Sequence, residues 1–239
     1  NDILMITDEV HSEFAFNSSN EPTLIPMFGA EVSNKNEGRQ ESQNGGNIHT
    51  HQLPRIIHIN SVSKAFNLAS IPGASYAVIK DKTIRETFAQ AINSRHLNAS
   101  NLGKVALIAA YEKGSTWLDS VKSALSFNRK LVVRFFEHYG LSVNYTMGSA
   151  GYFLWLDLST FPPHLTQPNS IASVHEAPLG DASRQPLKYS PVTTVEGCIE
   201  RGVRGNDGAT FGSPHHIRLN LACHPAVVET ALQRLCFIS

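Results

Sequence analysis

Two runs of this chain, Ile3-Leu4-Met5-Ile6 and Ile56-Ile57-His58-Ile59, are apolar with almost no alternation. A strand with one wet face alternates apolar and polar residues. A continuously apolar strand is covered on both faces, as in a parallel sheet flanked by helices. Ala74–Ile79 reads as a further strand of that sheet. Each of the first two runs leads directly into reactive side chains: Thr7-Asp8-Glu9-Val10-His11 after one, and Ser61-Val62-Ser63-Lys64 after the other. The pattern therefore places a carboxylate and an amine just beyond two sheet strands.

Helical spacing dominates from Thr83 to Tyr139. Leu102, Val105, Ala106, Ala109 and Ala110 recur at helical intervals, and that segment stops near Gly114. A long helix follows, with Thr116 as N-cap, a stripe of Leu118, Val121, Leu125, Val132 and Phe135, and Gly140 as its stop. It is long enough to bridge two domains. Beyond it, Ser142–Tyr145, Tyr152–Leu158 and His216–Ala222 read as strands, and Pro225–Cys236 as a closing helix with proline at its start. Two stretches cannot contribute much core. Residues 31–52 are rich in Asn, Gln, Ser and Gly, and 161–207 are rich in Pro and Ser with room for one short helix.

Lys+Arg and Asp+Glu both number 20, so no net charge attracts nucleic acid or an acidic membrane surface. No apolar run approaches the ~20 residues that cross a bilayer. The three cysteines, Cys198, Cys223 and Cys236, lack metal-site spacing and read as reduced thiols of a cytoplasmic protein. His49 and His51, like His215 and His216, have no further spaced ligands, so no metal is expected. Met147 breaks the G-x-S-x-G pattern, and no phosphate-binding P-loop is present.

Several segments together resemble the class I/II aminotransferases of the pyridoxal 5'-phosphate (PLP) fold-type-I superfamily, in particular the cystathionine β-lyase-like C–S lyase branch. They are Asp8-Glu9-Val10-His11-Ser12-Glu13-Phe14, Ser61-Val62-Ser63-Lys64-Ala65-Phe66-Asn67-Leu68, and Ala109-Ala110-Tyr111-Glu112-Lys113-Gly114 with Trp117-Leu118-Asp119. Gly151-Tyr152-Phe153-Leu154-Trp155-Leu156-Asp157, Phe211-Gly212 and Arg218-Leu219-Asn220-Leu221-Ala222 follow in family order. The resemblance implies an α/β fold with an incomplete large domain of mainly parallel sheet and a smaller C-terminal α+β domain. The two divide as 1–115 and 116–239. It implies PLP as cofactor, an amino acid as substrate, and a homodimer.

The resemblance also assigns roles. Lys64 carries the cofactor and then serves as base at the substrate Cα, because a deprotonated amine can do both. Asp8 pairs with the ring nitrogen. His11 stands where many relatives have a tyrosine near the cofactor's phenolic oxygen, and a purely structural histidine is the competing reading. Ser61, with Ser63 assisting, resembles the phosphate-binding serine, although serines at such positions more often cap helices. Pro72 replaces the usual aminotransferase arginine eight positions after the lysine, as in the C–S lyase branch. Arg218 becomes the clamp for the substrate α-carboxylate.

The family's glycine-containing phosphate loop and ring-stacking aromatic precede the position equivalent to Asn1, so the chain reads as a C-terminal piece. Two functional readings follow. One is a PLP enzyme, expected to be a β C–S lyase, with an aminotransferase as the alternative. The other is a non-catalytic paralogue or interaction subunit.

Overall fold

The computed structural model describes residues 3–23, 55–164 and 188–238; the polar stretch 31–52, and 165–187 within 161–207, lie outside the described residues. The chain divides into two compact units, one of Asn1–Ala15 with Thr23–Asp119, the other of Phe16–Pro22 with Ser120–Ser239.

In the first unit, β1 (Met5–Asp8), β2 (Ile56–Ser61) and β3 (Ser75–Ile79) form a sheet in that order. β1 and β2 run parallel, with Asp8 beside Ile59, whereas β2 and β3 run antiparallel. The described sheet is thus mixed rather than mainly parallel. A parallel neighbour needs a full crossover, usually a helix. After β2 the chain makes only the four-residue helix α1 (Val62–Ala65) and a loop before doubling back. The expected two-sided cover of the first run is also not met. Ile3 is 68% and Ile6 62% exposed, and among the described residues β1 pairs with β2 alone.

Helices α2 (Lys82–Ser94) and α3 (Asn101–Lys113) follow, each capped by a side chain, Asp81 and Ser100 respectively. Ser100 accepts from the Gly103 N–H and donates to the Pro72 carbonyl, tying α3 to the loop that leaves α1. Gly103 permits this approach: a Cβ there would stand 2.5 Å from the Pro72 oxygen. Val62, Ala74 and Ala110 form the small core, with Phe66, Leu68, Ile71 and Leu107 packed on it. Leu102 and Val105, which recur at helical spacing, are exposed.

Helix α4 (Ser115–His138) starts directly after the Gly114 cap of α3. The Leu118 N–H donates to the Gly114 carbonyl, so Thr116, expected as N-cap, already lies inside the helix. The helix ends as the sequence predicts. Gly140 takes φ +60°, and the Gly140 and Leu141 N–H groups return to the Glu137 and Phe136 carbonyls.

The second unit contains β4 (Tyr145–Thr146), β5 (Phe153–Asp157), β6 (Lys188–Tyr189), α5 (Val195–Glu200), β7 (Asn206–Asp207), β8 (His216–Asn220), α6 (Pro225–Cys236) and β9 (Phe237–Ile238). Its main sheet has the order β4-β5-β8-β7, all antiparallel. Leu154, Leu156, Ile217 and Leu219 face one way into the core, as do Val228, Leu232 and Leu235 of α6. Period two therefore turns Phe153, Trp155 and Arg218 to the opposite face.

Candidate functional site

Asp8 is the last residue of β1, and Lys64 lies three residues beyond the end of β2. Because these strands are adjacent and parallel, their carboxyl ends share one edge of the sheet. Open α/β sheets bind ligands outside that edge. The structure thus brings Asp8, Ser61, Ser63 and Lys64 to one end of the first unit. His11 follows in the turn after β1, where its carbonyl accepts from the Phe14 N–H.

α1 is short for visible reasons. Ser61 is its N-cap, accepting from the Ser63 N–H at 3.1 Å while donating to the Ala74 carbonyl at 3.0 Å. The capping role of Ser61 is therefore realised, and its hydroxyl is already committed twice. At the other end Asn67 takes φ +53°, a left-handed conformation that stops the helix and that asparagine tolerates. The Trp117 indole N–H donates to the Ala65 carbonyl and secures that end. Val62 and Ala65 are buried, which turns Ser63 and Lys64 outward. Lys64 is exposed, and so is Asp8, its carboxylate accepting from the Val10 N–H.

A polar network lies behind these residues, and sequence reasoning gave it no role. Glu13 Oε1 accepts from the Tyr111 hydroxyl at 2.7 Å and from Asn60 Nδ2 at 3.2 Å. The Tyr76 and Tyr111 hydroxyls are 3.1 Å apart, and since Tyr111 donates to Glu13, Tyr76 donates to Tyr111. Asn60 Oδ1 accepts from the Ser61 N–H at 2.6 Å. Burial, with Tyr76 and Glu13 beside it, pushes the Tyr111 phenol far above its ordinary range. The phenol therefore stays a donor. The only sequence trace of this network was that Glu13 and Tyr111 lie within family-like segments.

Arg218 belongs to the second unit. Its guanidinium lies 4.4 Å from the centre of the Phe153 ring and 4.6 Å from that of Phe211. Nη2 donates to Asn206 Oδ1 at 3.3 Å, and Nε is buried with no hydrogen-bond partner among the described residues. A buried, unmatched donor is costly, so an anion arriving there is favoured.

Among the described residues no group of His, Cys, Asp and Glu could hold a metal ion, and no helix is long and apolar enough to cross a membrane. The three cysteines are free thiols.

The model of one protein family, described as aminotransferase class I and II, matches residues 1–235. The cystathionine β-lyase PatB of Bacillus subtilis (strain 168) is 27% identical over 175 residues, which cover 72% of this chain and 39% of PatB. Protein MalY of Escherichia coli (strain K12) is 30% identical over 102 residues, covering 42% of this chain and 26% of MalY. Among solved structures, the PLP-bound C–S lyase from Staphylococcus hominis superposes with a TM-score of 0.62 at 23% identity, covering 98% of this chain and 48% of that one. The fold is thus that of PLP fold-type-I proteins, and the chain spans less than half the length of these relatives.

Proposed function

Since the chain belongs to the aminotransferase class I and II family, we propose that it is a PLP-dependent enzyme acting on an amino acid. We propose further that its reaction is α,β-elimination of a thiol. The observation that carries the reading is the placement of Asp8 and Lys64 at the carboxyl ends of two adjacent parallel strands. PLP needs an amine for its aldehyde and a carboxylate for its ring nitrogen, and this edge offers both. When bound, the cofactor supplies an electron-accepting ring that makes the Cα proton of an attached amino acid acidic.

On this reading Lys64 would hold the cofactor through its amine, and that amine, once free, would serve as the base at the substrate Cα. Asp8 would favour the protonated form of the ring nitrogen. The Ser63 hydroxyl would contribute to holding the phosphate, whereas the Val62 and Ser63 N–H groups are already given to the Ala74 carbonyl and to Ser61 Oγ. Ser61, with its hydroxyl already committed, acts mainly by shaping that start. His11 would be a further contact to the cofactor. Arg218 receives the substrate α-carboxylate through its unmatched Nε and fork. Elimination is preferred over transamination because a relative is named cystathionine β-lyase and because Pro72 stands where aminotransferases carry arginine. A homodimer in the cytoplasm completes the proposal.

The test has two stages. The chain mixed with PLP should develop a visible absorption band that Lys64→Ala abolishes; no band in either favours the non-catalytic reading. Cystathionine should then yield thiol, pyruvate and ammonia. Amino transfer that depends on a keto acid, without thiol release, would reject the lyase assignment. Light scattering reports the dimer, and a monomer contradicts it.

A further inference from the structure

We infer that Glu13 is a positioning residue that sets the spacing between the Asp8–His11 turn and the Lys64 turn. The inference rests on the reading of Lys64 and Asp8 given above. A single carboxylate joins three parts of the first unit. Tyr111 of α3 and Asn60 of β2 both donate to Glu13 Oε1, and the Ser12 hydroxyl lies 3.5 Å from Oε2.

Asn60 is the key intermediary, because both ends of its amide are used. Nδ2 goes to Glu13, and Oδ1 receives the Ser61 N–H that leads into α1. Without the carboxylate, only the long 3.5 Å bond to the Ser12 hydroxyl is left on that side to favour the amide nitrogen over the oxygen. A flipped amide would set its NH2 against the Ser61 N–H, donor against donor. The entry to α1, and Lys64 with it, would lose its orienting bond.

The same carboxylate holds the other segment. The Ser12 N–H and hydroxyl both return to the Glu9 carbonyl, and the Phe14 N–H returns to the His11 carbonyl. These bonds make a closed turn, and Glu13 fastens it to β2 and α3. Tyr76, opposite Asn60 in the β2–β3 register, extends the chain of bonds to the far strand. With two donors on Oε1, the carboxylate serves the scaffold rather than the chemistry.

Glu13→Ala and Glu13→Gln separate this role from general stability. Glutamine can accept both Oε1 bonds through its carbonyl, and its amide can face the Ser12 hydroxyl, so Glu13→Gln should behave like the wild type. In the cofactor-free chain, Glu13→Ala should speed amide hydrogen exchange over 8–14 and over 60–66 together. At a temperature where every variant is folded, the PLP dissociation constant read from the Lys64-dependent band should weaken about ten-fold in Glu13→Ala, the effect of one lost charge-assisted hydrogen bond. If Glu13→Ala does not fold, Tyr111→Phe removes one of the two Oε1 bonds and should move both readouts in the same direction by less.

A variant with lowered melting temperature but unchanged PLP affinity overturns the inference, as does exchange that rises over 8–14 alone. Failure of Glu13→Gln to restore affinity also overturns it. No band in the wild type defeats the reading of Lys64, and this inference with it. A normal wild-type band that Glu13→Ala leaves unchanged defeats this inference alone.

Discussion

Asn128 offers the sharpest test of how the second unit holds the strand that carries Arg218. It lies in α4 with 0% of its surface exposed. Both hydrogens of its amide are spent on backbone: Nδ2 donates at 2.8 Å to the Leu221 carbonyl and at 2.8 Å to the Cys223 carbonyl. These residues directly follow β8. Its Oδ1 is buried with no hydrogen-bond partner among the described residues, so the side chain acts there as a donor. Asn128→Ala strips two carbonyls of their donor; at about 1–3 kcal/mol for each buried polar group left unpaired, we expect a loss of about 3–4 kcal/mol. Asn128→Asp should be worse at neutral pH, by about 2 kcal/mol or more, because it points a buried charge at two acceptors.

The sign with pH follows from the same picture. Burial among carbonyls raises the introduced carboxyl's pKa, so its neutral form, which can donate one bond, is the tolerated one. The deficit of Asn128→Asp relative to Asn128→Ala should therefore shrink as pH falls toward about 4, the unperturbed aspartate value. Urea unfolding followed by tryptophan fluorescence at two pH values measures all of this. The reasoning is refuted if Asn128→Asp at pH 7 matches or exceeds Asn128→Ala, or if the alanine variant costs under about 1 kcal/mol.

Two further outcomes are expected. Arg129, also buried, donates from Nε, Nη1 and Nη2 to Asn20 Oδ1 and to the Met147 and Gly148 carbonyls, with its guanidinium over the Phe16 ring. Arg129→Lys keeps the charge but cannot reproduce that fork, and should cost about 2–3 kcal/mol in urea unfolding; a loss under about 0.5 kcal/mol would show that the fork does not matter. Burial pushes the Cys198 thiol from 9.0 up to about 11. The neutral thiol is thus the folded form, and its contribution is complete below pH 9.0 and lost as pH rises through about 11. The melting temperature should fall more steeply across that window in the wild type than in Cys198→Ala, and parallel profiles would dismiss the effect.

What the sequence disclosed follows from how local each feature is. Helix α6 was legible to the residue because Pro225 at its start and its apolar spacing are both local signals. The Gly140 stop was legible for the same reason. The polarity of β3 was not, because strand direction depends on the length and path of the connection rather than on the strand's own residues. Thr116 looked like a cap because its hydroxyl and Asp119 have the right spacing. The structure instead lets α4 begin from the Gly114 carbonyl, which no spacing rule anticipates. Asn128 and Arg129 interrupt the apolar stripe of α4 in sequence yet lie on its buried face, since backbone carbonyls from distant segments satisfy them.

The candidate site divides along the same line. Asp8 and Lys64 could be found because each follows an apolar run, and parallel pairing of those runs is enough to bring them to one edge. The groups that would hold them cannot be found that way. Tyr111 meets Glu13 across 98 positions of sequence, and Tyr76 faces Asn60 only in one register of the β2–β3 pair. A shift of that register by one residue would turn Tyr76 to the other face and cut the chain of hydrogen bonds. The reacting groups are thus written at strand ends, whereas the rigidity that would orient them depends on pairings that only the folded chain makes.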